Sequence, residues 1–186
     1  MLRDEVVDLG LPSETLWCKY NLGVNPYQLT NPKEWYGGYY AFGELEPNKL
    51  KYNWNNYKFG KKYNKLTKYC NNYEYGLNGF TDNLANLQSE DDAAYQNKKL
   101  HNFKFHIPTK EQCEELINYT NNYWVNNYDP TKLKHNSEDD SGIFDLNGRI
   151  FEGKNGNQLF IPATGGYFRS TFKSDCYNCY LWSSSL

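Results

Sequence analysis

The chain has 186 residues and a net charge of −2, which leaves room for one domain with a core and no field that would draw nucleic acid to it. Aromatic residues reach 18%, with 18 Tyr, 10 Phe and 5 Trp, which excludes disorder and calls for a core built on rings. No run approaches the ~20 apolar residues of a membrane helix, so no membrane insertion is expected.

The start, MLRDEVVDLGLP, lacks the apolar segment of a secretory leader. EVVDLGLPSETLWCKYNLGV then reads as two strands about a turn at Gly10 to Ser13. Leu16 and Trp17 point to opposite faces of the second strand, so it is expected to be covered on both sides. NPKEWY reads as a short helical segment broken by Gly37 and Gly38, with an aromatic strand after it. From about 48–68 the chain is rich in Lys, Tyr and Asn without periodicity and reads as a long irregular insertion. Seven lysines there are interleaved with Tyr52, Trp54, Tyr57, Phe59 and Tyr63. That mix suits stacking and phosphate contact, and equally a glycan- or protein-binding loop, but rings tucked into the domain are the simpler reading.

Ser89, followed by Glu90, Asp91 and Asp92, reads as the capped start of a short helix, because acids suit a helix N-terminus. PTKEQCEELINY reads as a second helix, with Thr109 and Gln112 forming a capping box. Cys113, Leu116 and Ile117 make its apolar stripe, and Asn121 and Asn122 end it. DPTKLKHNSEDDSG is turn-rich, with a solvated acidic run at Glu138 to Asp140. GIFDLNGRIFEG and GNQLFIPATGGYF read as strands joined at Asn155-Gly156, a hairpin signal. YLWSSSL reads as a strand running to the last residue. Strands at both ends with two helices between them indicate an α+β domain over 1–186, with mixed, mostly antiparallel sheets.

Candidate chemistry is sparse. Five cysteines, Cys18, Cys70, Cys113, Cys176 and Cys179, do not form a disulfide framework, and Cys18 and Cys113 read as small buried hydrophobes. Cys176 and Cys179 are a single CxxC without the second pair that a metal ribbon needs. His101, His106 and His135 lie far upstream of it. Glu46-Pro47-Asn48 resembles a sugar-reading tripeptide of calcium-dependent lectins but lacks a partner set of oxygens. No phosphate loop, nucleophile elbow or HExxH occurs. No cofactor, no metal and no catalysis are expected.

The ordered phrases VDLGLPSETLW, YGGYYAFGE, YNW, LTKYC, YGLNGFTDN, LQSEDDAA, IPTKEQCEEL, GNQLFIPATGGY and YLWSSSL together resemble the Fibrobacter succinogenes major paralogous domain. The resemblance runs from about Val6 to Leu186. It implies a C-type-lectin-like fold, related to formylglycine-generating enzymes and to retroelement variable proteins. It also implies core positions for Trp17 and Trp182, a central strand at FIPATGGY and a helix at Thr109 packed beneath the sheet. Phe105-His106-Ile107-Pro108-Thr109 departs from the family's Trp-Arg-Met-Pro-Thr, and the oxidase cysteine pair is not recognisable.

In the family, further strands follow WSSS, and the last of them pairs with the first strand. The fold is therefore expected to be C-terminally incomplete, exposing Glu5, Val6, Val7, Asp8 and Leu9 as an edge that other protein chains complete. Candidate ligand or partner contacts are Tyr167, Phe168, Tyr177, Tyr180 and Trp182, although Trp182 is better read as core. The expected role is a non-catalytic binding or structural module of a phage virion, as head decoration, head fibre or tail-associated protein. The AT-rich codon set behind Asn, Lys, Tyr and Phe fits a phage of gut Bacteroidetes. The alternatives are a bacterial cell-surface or secreted adhesin domain that takes a glycan or protein ligand, and a thiol- or copper-dependent oxidase of the formylglycine branch.

Overall fold

The computed structural model describes residues 5–47, 52–97, 105–130, 146–168, 171–173 and 177–186. The protein is α+β, with three small sheets, antiparallel in every described pairing between strands, and one α-helix among the described residues. Strands β1 (Val6–Asp8) and β2 (Leu16–Cys18) pair as the N-terminal segment anticipates. Helix α1 (Lys110–Tyr119) is followed by β3 (Asn121–Tyr128), β4 (Leu146–Glu152) and β5 (Gln158–Pro162), ordered β3-β4-β5. A last two-stranded sheet joins β6 (Gly166–Phe168) and β7 (Thr171–Lys173).

The chain divides into two compact units, each assembled from separate stretches. The first comprises Met1–Gly38, Glu114–Gly166 and Lys173–Tyr180; the second comprises Tyr39–Cys113, Tyr167–Phe172 and Leu181–Leu186.

The first unit has an aliphatic core. Val7, Leu9, Leu11, Leu116, Phe151 and Leu159 cluster together, with Trp17 and Ile161 against them. A second cluster sets Trp35 and Leu146 against Tyr20, Leu29, Tyr36 and Phe160. β4 is the middle strand and alternates inward at Leu146, Gly148 and Ile150, while the FIP strand β5 lies at an edge rather than at the centre. The β4–β5 turn at Asn155-Gly156 forms as its sequence demands, with Gly156 at φ +80°. Gly153 lies so close to β1 that a Cβ would stand 2.1 Å from the Leu9 carbonyl oxygen. Pro32–Tyr36 is a 3₁₀ turn closed by a capping box between Asn31 and Glu34, and Gly37 leaves it at φ +74°.

The helix count differs from expectation. The Ser89 segment is a three-residue 3₁₀ turn, Ser89–Asp91, that ends at Asp92 in an extended conformation. Two of the three acids, Asp91 and Asp92, are buried rather than set at a helix N-terminus. Asp91 is drawn inward by Lys58, Lys68 and Tyr69, and Asp92 accepts from the backbone N–H of Ala94, Tyr95 and Ile107. The capping box of α1 is present: the Gln112 N–H donates to Thr109 Oγ1 at 3.3 Å, and the Thr109 N–H donates to Gln112 Oε1 at 2.9 Å. Its stripe is narrower than read, since Leu116 is buried while Ile117 is exposed. The expected aromatic strand after Gly38 is absent, because the chain turns at Ala41–Glu44 so that Gly43 can pass beside Phe59. β2 is covered on one face only: Trp17 packs on the core and Leu16 is exposed. Cys18 and Cys113 are half-buried, and Cys70 is the buried thiol.

Candidate functional site

The second unit rests on rings. Trp54, Tyr57, Phe59, Tyr69, Phe42 and Trp182 form a continuous chain of edge-on contacts, with successive centroids 5.4–5.9 Å apart. Edge-to-face contact sets the positive rim of one ring against the negative face of the next. Cations complete the arrangement, with Lys58 Nζ 4.6 Å from the Phe59 centroid and Lys68 Nζ 5.1 Å from that of Tyr69.

Beside this chain lies Asp91, 3% exposed. Its carboxylate accepts from Lys58 Nζ at 2.7 Å, Lys68 Nζ at 2.6 Å and the Tyr69 hydroxyl at 2.8 Å. Burial opposes its ionisation, but the two ammoniums and the phenol outweigh burial and hold it below the ordinary Asp range. The hydrogen bond to Asp91 correspondingly holds Lys68 above its usual value. Burial, then the charges of Glu44, Tyr69 and Asp91, push the Tyr57 phenol up. Asp82 accepts from the N–H groups of Tyr69, Cys70 and Leu84. These carboxylates hold the fold's own donors.

The five rings singled out from sequence are all exposed, but they do not form one group. Tyr167 sits among Tyr52 at 4.6 Å, Phe172 at 5.1 Å and Tyr39 at 5.3 Å in the second unit. Tyr52 is further fixed by donating its hydroxyl to the Tyr39 carbonyl. Phe168 follows Tyr167 on β6, projects from the opposite face of that strand and is 62% exposed. Tyr177 and Tyr180 belong to the first unit, where Tyr177 stacks on Trp124 at 6.5 Å and Tyr180 lies against Gly166.

Trp182 is not core but 52% exposed, and it lies outside any named strand. Its indole N–H donates to the Tyr40 carbonyl at 2.9 Å, a bond that places the ring over Phe42 at the margin of the unit. The residues after it pair within the second unit rather than ending unsupported. The Leu87 N–H donates to the Ser184 carbonyl at 2.7 Å, Ser184 to Pro108 at 2.8 Å and Leu186 to Ala85 at 2.9 Å.

The edge at Glu5 to Leu9 can be read from its register. The Lys19 N–H donates to the Glu5 carbonyl at 2.8 Å, so Glu5 and Val7 turn their backbone groups to β2, and Val6 and Asp8 turn theirs away. On that outer side the Asp8 carbonyl is taken twice, by Asn155 Nδ2 at 2.9 Å and Asn157 Nδ2 at 2.8 Å. Val7 and Leu9 are buried side chains. Among the described residues, what the edge offers a partner strand is thus narrow: the N–H and C=O of Val6 and the N–H of Asp8.

Among the described residues no group of three or more His, Cys, Asp or Glu is placed to hold a metal ion, and no helix is long and apolar enough to cross a membrane. Cys179 is half-buried and its thiol is pushed up by burial; Cys176 and Asn48, the other halves of two sequence motifs, lie outside the described residues. No family model matches the chain, and comparison with the curated proteins and with the solved structures gives no match.

Proposed function

We propose that the chain is a non-catalytic binding or structural module of C-type-lectin-like fold, allied to the Fibrobacter succinogenes major paralogous domain. In this reading it serves in a phage virion as head decoration, head fibre or tail-associated protein, and its partners are other protein chains. The observation that carries the reading is the aromatic display at β6–β7, where Tyr167 and Phe172 stay exposed on a face backed by Tyr39 and Tyr52 and Phe168 stands exposed on the other face. Rings held rigid by other rings give contact area at little entropic cost, and their exposure is unfavourable until a partner covers them. The outward N–H and C=O of Val6 supply a second, backbone contact for a strand of the partner. Asp82, Asp91 and Asp92 are occupied by the chain's own donors, which favours a binding over a catalytic role.

The test is the composition of purified particles together with attachment of the aromatic variants. Mass spectrometry should find the chain in particles, and gold-labelled antibody should place it on their surface. Phe168→Ala with Phe172→Ala should weaken attachment about tenfold or more, as loss of a buried aromatic anchor does. Particles without the chain would remove the virion setting. Unchanged attachment of the double variant would remove the β6–β7 surface.

A further inference from the structure

A second exposed surface lies in the region read from sequence as an irregular insertion. Gly60 bridges Leu66 in antiparallel sense, and Leu66 bridges Gly76 in parallel sense, giving a three-ply ribbon. Hydrogen bonds fix its register: the Leu66 N–H donates to the Tyr75 carbonyl at 2.9 Å, Leu77 to Leu66 at 2.8 Å and Thr67 to Phe59 at 2.8 Å. Lys61 and Lys65 flank the first bridge and Lys65 and Tyr75 flank the second, so the three positions stand beside one another at the end of the ribbon. Gly60 and Gly76 are buried and Leu66 is half-buried, whereas Lys61, Lys65 and Tyr75 are all exposed.

Lys62 and Tyr63 stand at the turn between the first two plies, and Tyr73 and Glu74 stand at the turn before the third. Tyr63, Tyr73 and Tyr75 have neither a ring nor a side-chain hydrogen-bond partner among the described residues, in contrast to the interlocked Tyr39, Tyr52, Tyr57, Tyr69 and Tyr167. The Lys62 and Lys65 ammoniums are likewise without a described partner, and Lys61 uses one of its three donors on the Asn55 carbonyl at 3.1 Å.

We propose that the Lys61–Lys65–Tyr75 face binds an acidic polysaccharide, with the Tyr75 ring against the C–H face of a sugar and the two ammoniums on flanking carboxylates. Charge complementarity selects an anion: Lys61, Lys62 and Lys65 are opposed on this ribbon only by Glu74. Lys61 and Lys65 lie next to each other across the first bridge, with the Lys65 N–H turned to the Lys62 carbonyl at 3.0 Å. A polyuronate presents a carboxylate on every sugar ring, so two neighbouring ammoniums can each meet one. A nucleic-acid strand would need a ring for each base and a cation for each phosphate in a continuous groove. This face offers one ring in its row, on a molecule of net charge −2. The inference is independent of the β6–β7 surface, none of whose residues it uses.

The test is calorimetric titration of the full chain with galacturonate oligomers at low and at physiological salt. Fully methyl-esterified oligomers and an oligothymidylate serve as comparison probes. Binding should be to the free acid, should weaken with salt, and should fall about tenfold in Lys61→Gln/Lys65→Gln and again in Tyr75→Ala. Tyr75→Phe, which keeps the ring, should restore it. Circular dichroism of these exposed-site variants should be unchanged. Four results would overturn the proposal: no heat with any probe, equal binding of the ester, tighter binding of the oligothymidylate, or undiminished affinity in the lysine variant.

Discussion

Asp91 gathers two ammoniums and a phenol onto one buried carboxylate, and removing it takes that partner from all three, although Lys68 keeps Glu90 at 3.0 Å. Asp91→Ala should cost about 3 kcal/mol in urea unfolding, the low end for breaking a buried ion pair, because Lys58 is half exposed and can turn to water. A loss below about 0.5 kcal/mol, the size of an ordinary surface change, would mean the cluster is incidental. The pH dependence follows from the directions of the shifts. A carboxylate depressed below an unfolded value of about 3.9 contributes fully above that value, and its contribution fades as pH falls through the folded value. Lys68, raised above about 10.4, contributes below that value, and its contribution is lost at higher alkalinity. The stability difference between the native chain and Asp91→Asn should therefore be level from about pH 5 to about pH 9 and shrink on acidification. A gap that persists unchanged to about pH 2 would contradict the assignment. None of this was legible locally. Lys58 and Lys68 lie 33 and 23 residues from Asp91, and the acids after Ser89 look like a helix start because that is what acids favour when nothing else claims them.

Elements were readable where the signal is local. The capping box at Thr109 and Gln112 and the hairpin at Asn155-Gly156 depend on residues within a few positions of one another, and the pair β1–β2 on residues no more than twelve apart. Thr109→Ala should destabilise the chain by about 1 kcal/mol, read as a shift in urea midpoint, with Thr109→Ser recovering most of it. β3 escaped notice for the opposite reason. Asn121, Asn122, Asn126 and Asn127 are poor strand formers, and the segment is extended because β4 lies alongside it. Asn122 also serves the helix before it, donating Nδ2 to the Ile117 carbonyl at 3.1 Å. The asparagines thus close α1 and open β3 within two residues, a double duty that composition hides.

At the scale of the molecule, the reading of an α+β chain with mostly antiparallel sheets was available from composition and pattern, whereas the ring-based core it called for is found in the second unit and the first packs on aliphatic residues. The destination of individual rings was not. Trp182 on an apolar-looking segment gives no local sign that its N–H will be held by Tyr40, 142 positions earlier. The exposed Tyr167 and Phe168 were legible only as aromatic residues near turns, and the Lys61–Lys65–Tyr75 row appears once the plies are paired. One further property follows from the side chains that close the outer edge of β1. Asn155 precedes Gly156, the pairing most prone to losing ammonia as the next backbone nitrogen attacks the side-chain amide. Here the amide is held by Asp8 and Asn157, and the Gly156 N–H is held by Gly153, whereas Asn78 before Gly79 is exposed with no such restraint on its side chain. Peptide mapping of stored protein should find Asn78 converted first; Asn155 converting sooner would refute this protection. Where Asn155 does convert, an acid replaces the amide donor against the Asp8 carbonyl. Shelf life, rather than mutation, then becomes the means by which the strand loses one of its two guards, with Asn157 left to hold the carbonyl alone.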